Sequence, residues 1–190
     1  MSIFRFPIFV VLMISMLLLS AGCTDSGCSR NIKDESTLTK VETFKGFMSA
    51  NNIYKIGLVE DGVYVLNELV ISTNDKIYAD IPAESFISDY KSFLLSNSKS
   101  NWSQMESKLP SNLSLDSIEE HVKGMNSVGI TSAYTNSSDS LHVFQSGSSV
   151  MRGFCGLMIG AQNDAEQYSK EQGFSFTEEI ASKVFYFEYR

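Results

Sequence analysis

Histidine is almost absent from these 190 residues: His121 and His142 are the whole complement. Neither belongs to a His-x-x-x-His pair, and the three cysteines form no Cys-x-x-Cys pair. The usual zinc spacings are therefore missing, and no metal ligand is assigned. A phosphate loop is missing too, because no Gly-Lys-Ser/Thr follows Gly153-Phe154-Cys155-Gly156. Gln145-Ser146-Gly147-Ser148-Ser149 is rich in serine, yet the Gly-x-Ser-x-Gly elbow fails at Met151, and the stretch reads as a loop between strands. Cys155 with His121 or His142 is formally a thiol–imidazole pair. Its neighbours Phe154, Leu157 and Met158, with Arg152 the one nearby base, are not the electropositive, exposed setting that activates a thiol. The acid pairs Glu60-Asp61, Glu119-Glu120 and Glu178-Glu179 do not face one cleft by virtue of adjacency, as a glycosidase pair must. The first fits a turn and the other two fit the N-terminal turns of helices, where anions are favoured. No catalytic residue and no cofactor follow from these motifs.

Basic residues are in deficit, 15 Lys and Arg against 22 Asp and Glu, for a net charge of −7. Nucleic acid repels such a chain, so no nucleic-acid partner is expected. The chain is equally unsuited to lying flat on an anionic membrane surface. There is no internal repeat. The longest apolar run, 8–21, falls short of the roughly 20 residues of a membrane span. Arg5 precedes it, no acid does, and no basic cluster follows to stop transfer. A basic start, a short apolar core and small residues are the layout of a secretory signal peptide. The alternative, an uncleaved transmembrane helix, is opposed by the length and the flanks of the run.

That run ends in Leu19-Ser20-Ala21-Gly22-Cys23, which resembles the lipobox of bacterial lipoproteins. Ser20 stands where the commonest lipobox has Leu, and Leu19 lies one residue earlier. The resemblance covers residues 1–23 and implies cleavage between Gly22 and Cys23 by lipoprotein signal peptidase. It also implies a diacylglyceryl thioether on the Cys23 sulfur and an acyl chain on the new amino group. Two or three chains, each buried CH₂ contributing about 0.8 kcal/mol, make a stable membrane anchor where one would not. Thr24 in place of Asp after Cys23 points, by the same resemblance, to the outer membrane and a periplasm-facing domain. Loss of residues 1–22 removes Arg5 and no acid, which shifts the net charge from −7 to −8. Lipidation of Cys23 leaves Cys28 and Cys155, and an even remainder in an oxidising compartment suggests a disulfide. Closing a loop on the order of a hundred residues is worth about 4–5 kcal/mol in the chain-entropy model. Gly153 and Gly156 would let another chain approach Cys155 closely. The other reading of Cys155, in the apolar run Phe154-Cys155-Gly156-Leu157, is a buried core thiol.

Three segments follow: signal peptide 1–22, lipid-anchored tether 23–36, and one globular domain 37–190. In the domain, Leu38, Val41, Phe44 and Met48 share a helical face over 38–50, with Thr39 and Glu42 as a capping box. Residues 53–59 and 63–72 read as strands around Glu60-Asp61-Gly62, a hairpin signal, and 76–81 as a third strand after Asn74-Asp75. Pro82 opens an amphipathic helix over 83–95 carrying Phe86, Ile87, Tyr90, Phe93 and Leu94. A Ser- and Asn-rich connection with Trp102 leads to a helix over 115–125, with Asp116 and Glu119 as its box. Asn101, Asn112 and Asn136 fit the N-glycosylation pattern, normally idle in a bacterial lipoprotein. Strands follow at 128–135, 141–145 and 150–159, a helix begins near Asn163 and Glu166 and ends at Gly173, one helical turn occupies 177–181, and a strand over 183–189 is apolar on both faces. The sum is α+β, a mostly antiparallel twisted sheet of about six to seven strands with three to four helices packed on it.

A membrane anchor without a catalytic constellation suggests a non-catalytic binding or interaction module of the cell envelope, with an envelope protein partner. The acidic balance suits a second reading, an inhibitor or immunity-type lipoprotein that neutralises a basic enzyme. An anchored hydrolase is a third reading, which no motif supports.

Overall fold

The computed structural model describes residues 32–82, 87–136, 140–149 and 153–189. Gly22, Cys23 and Cys28 therefore lie outside the described residues. The elements run α1 Glu35–Ala50, β1 Lys55–Glu60, β2 Val63–Leu66, β3 Leu69–Ser72, β4 Ile77–Asp80, α2 Tyr90–Asn97 and α3 Trp102–Glu106. They continue α4 Leu115–Asn126, β5 Ile130–Thr135, β6 Leu141–Ser149, β7 Gly153–Gly160, α5 Gln162–Gln172, β8 Phe176–Ala181 and β9 Val184–Tyr189. All described strands join one open sheet in the order β4-β3-β2-β1-β5-β6-β7-β9-β8, with every pairing antiparallel. The α+β class expected from the sequence is the observed one. The described residues hold nine strands and five helices, more than expected.

The extra strands have local causes. Residues 63–72 do not run as one strand: Leu66 pairs directly with Leu69, and Asn67 turns the chain at a φ of 50°. The Asn67 side chain then accepts hydrogen bonds from the Tyr54 and Lys55 amides at 2.9 and 3.2 Å, fixing the start of β1. Residues 177–181 are not a helical turn but the edge strand β8, paired with β9 through a hairpin at Lys183. Glu178 and Glu179 thus sit on a strand rather than in a helix N-terminus.

Helix boundaries also move. α1 begins at Glu35, inside the expected tether, with Asp34 at the cap position, and Thr39 donates its hydroxyl to the Glu35 carbonyl instead of capping. α2 begins at Tyr90, capped by Asp89, whose carboxylate accepts from the Ser92 amide at 3.0 Å; of the helix expected over 83–95, residues 87–89 are not helical and 83–86 lie outside the described residues. Ser114, not Asp116, caps α4 by accepting from the Ser117 amide at 3.2 Å. Ala161 precedes α5, and Gly173 ends it at a φ of 70°, as its position after the helix implied. Trp102 begins α3 and packs half-buried on the core.

The pleat sends alternate residues to opposite faces of the sheet. On the first face Ile56, Tyr64, Ile71, Phe144, Leu157 and Tyr186 meet α1, α3 and α4 in the main core. α1 presents Val41, Phe44 and Met48 at helical spacing, and α4 presents Ile118, Val122 and Met125. The second face is covered in two separate patches. α2 lays Leu94, Tyr90 and Phe93 on Val63, Val65 and Val70 at one end. α5 lays Ala165 and Tyr168 on Val143, Met158, Phe185 and Phe187 at the other. β9 is paired on both sides and buries both faces, as its two-sided apolar pattern implied.

Candidate functional site

Between the two patches, the middle of the sheet is left with small and polar residues. The register lines up Val65, Gly57, Ser132, Gln145 and Gly156 across five adjacent strands, all on the second face. Lys55 lies one step along β1, opposite Tyr134 on β5. Gly57 leaves the floor low. A Cβ built on it would stand 3.1 Å from the Ser132 Cβ and 3.3 Å from the Thr131 carbonyl oxygen. A groove of about 420 Å³ results, floored by β1, β5 and β6 and walled by the first turn of α2. That size falls in the range of small-molecule sites, which run from about 300 to 1,000 Å³.

The groove is apolar on one side and hydrogen-bonding on the other. Val59 and Val65 supply the apolar lining, with Ser132 and Gln145 on the floor. At the α2 wall the Lys55 ammonium donates to the Tyr90 hydroxyl at 2.7 Å. Among the described residues, no carboxylate stands within ion-pair distance of Lys55. Asp89 is on the same rim, but its two oxygens are taken by the Ser92 amide at 3.0 Å and the Ser92 hydroxyl at 2.7 Å. Those hydrogen bonds, the backbone one first, lower its carboxyl below the usual range and keep it ionised. At the far end Tyr168 donates its hydroxyl to Tyr134 at 3.3 Å, tying α5 to β5. Burial raises the Tyr134 phenol far above the ordinary tyrosine range, so it stays a neutral donor.

The residues singled out in the sequence lie elsewhere. Cys155 is fully buried on the first face and is disulfide-bonded, not a titrating thiol. Gly156 faces the opposite side of β7 and is covered by the Phe187 ring, so it does not open an approach to Cys155. His142 is also on the first face, but β6 pairs Cys155 at Ser146, four residues further along. At about 3.3 Å per residue that is roughly 13 Å, too far for a thiol–imidazole pair. His142 is 3.4 Å from the Ser49 hydroxyl instead. His121 stacks on Phe47 at 3.7 Å, and its Nδ1 is 2.7 Å from the Ser117 carbonyl oxygen. Glu119 pairs with Lys123 one helical turn away, and Glu178 pairs with Lys33 at 2.8 Å. Asp61 and Gly62 form the β1–β2 turn, with Gly62 at a φ of 76°. Among the described residues no group of three His, Cys, Asp or Glu could hold a metal ion. None of their helices is long and apolar enough to cross a membrane.

The sequence reading missed the groove entirely. The available signal was Gly57, which interrupts the apolar run Ile56-Gly57-Leu58-Val59, since a glycine inside a strand often marks a close approach or a vacant side-chain position. Comparison with family models, curated proteins and solved structures found no match.

Proposed function

We propose that this chain is a lipid-anchored, non-catalytic binding module of the cell envelope, and that the groove over β1, β5 and β6 is its binding surface. The observation that supports the reading is the uncovered centre of the second face. Two helices cover the sheet on either side of it and leave a polar-floored groove where a closed core would otherwise continue. The side chains that could have formed a cysteine nucleophile are spread apart, with the sulfur bonded. Anchoring at Cys23, a periplasmic orientation and an outer-membrane address remain part of the proposal, resting on residues 19–24.

The test is an amide NMR spectrum of the anchored protein, recorded with fractionated small-molecule extract of the host envelope. The reading expects saturable shifts that centre on Gly57, Ser132 and Gln145. Shifts confined to other surfaces would contradict it, as would turnover of an ester, peptide or muramyl substrate.

A second reading, inhibition of a basic enzyme, draws support from β8. This edge strand is exposed along most of its length, carries Glu178 and Glu179, and shows Phe176 at 46% exposure. Association with a cationic muramidase or nuclease that vanishes in high salt would favour it over the groove.

A further inference from the structure

We infer that the groove takes a small organic carboxylate with an apolar body, an inference that rests on the groove being the binding surface. Two donors converge at one end of it. The Lys55 ammonium spends one N–H on the Tyr90 oxygen at 2.7 Å and has two more to give. Because the Tyr90 hydroxyl accepts from Lys55, its own proton is directed to another acceptor. An ammonium and a phenol side by side match the two oxygens of one carboxylate, and charge-assisted hydrogen bonds of this kind are about twice as strong as neutral ones.

Asp89 leaves a negative charge on the rim, but its oxygens are turned to Ser92, and the free donors at this end are those of Lys55 and Tyr90. Lys55 has no carboxylate partner among the described residues. Val59 and Val65 then give the body of the ligand an apolar wall. Ser132 and Gln145, on the floor opposite, offer a hydroxyl and an amide to a polar substituent. Lys55 is held in place by local structure: Asn67 fixes its amide, and Lys55 pairs with Tyr134, which Tyr168 in turn holds.

Three probes with one tail and different heads test this: hexanoate, hexanol and hexylamine. Each is titrated into the full-length protein in phospholipid nanodiscs and read at the Gly57 and Ser132 amides. Hexanoate is expected to bind at least about tenfold more tightly than hexanol, with hexylamine weakest. Lys55→Met should remove that preference, and Tyr90→Phe should reduce it, while both variants keep the wild-type melting profile. Equal binding of hexanoate and hexanol would overturn the carboxylate inference and leave the groove reading standing. Preference for hexylamine, or hexanoate affinity unchanged in a folded Lys55→Met, would overturn it as well. If none of the three probes shifts a groove amide, the inference fails, and the envelope extract then decides on the groove separately.

Discussion

Single positions decide whether the second face is filled or open. At Gly156 the face is filled: the Phe187 ring lies over the glycine, and an added Cβ would meet Phe187 Cζ at 2.6 Å as well as the Phe144 carbonyl oxygen. Backbone on one side and a buried ring on the other leave little room to shift. Gly156→Ala is expected to lose about 3 kcal/mol or more in urea unfolding, at the upper end of overpacking effects. Tyr134 makes a prediction of opposite character. Burial raises its pKa in the folded state above the unfolded value, so the folded protein holds this proton more tightly. The resulting stability is fully present below about pH 10, the unfolded tyrosine value, and is lost as pH rises from there toward the folded one. Tyr134→Phe should therefore flatten the decline in unfolding free energy between about pH 10 and 12. It should also lose about 1 kcal/mol at neutral pH with the Tyr168 hydrogen bond. An unchanged alkaline slope in urea titrations would show that Tyr134 is not the group responsible.

Elements were legible in the sequence where burial leaves a pattern, on one face of a helix or on both faces of a central strand. α1 and α4 declared themselves through Val41-Phe44-Met48 and Ile118-Val122-Met125, and β9 through apolar residues on both faces. β8 was not legible because it is an edge strand exposed along most of its length, so Phe176–Ala181 carries no burial pattern and its two acids read as a helix start. The groove was hidden for another reason. Its floor depends on the register of several strands, and no local pattern tells which residues of β1, β5 and β6 will stand in one row.

The chain entering α1 supports the proposed Cys28–Cys155 disulfide. Ile32 is buried in the same cluster as Cys155 and Tyr186, and the Lys33 ammonium sits 4.0 Å above the Tyr186 ring. Cys28 lies four residues before Ile32, a span that reaches at most about 14 Å. Cys23, nine positions before Ile32, is the residue the lipobox assigns to the lipid. Peptide mapping under non-reducing conditions should recover one crosslinked pair joining Cys28 to Cys155. A Cys23–Cys155 pair would contradict both the pairing and the lipidation.

At the scale of the whole molecule, the two faces of the sheet take different roles in the proposal. The N-terminal segment reaches the first face beside β9 and β8, where Lys33 pairs with Glu178. The groove opens on the second face, between α2 and α5. An anchor at Cys23, with a crosslink from Cys28 to the first face, would hold that face toward the bilayer and turn the groove away from it. With a net charge of −7 the domain has no electrostatic attraction to anionic lipid that would oppose this arrangement. The envelope role and the orientation both presuppose an anchored protein, so the most direct measurement is the intact mass of the protein extracted from its host membrane. The account predicts a chain beginning at Cys23, heavier by a diacylglyceryl group with or without one further N-acyl chain, and lighter by the two hydrogens of one disulfide. A mass that retains residues 1–22, or a Cys23 without lipid, would contradict it.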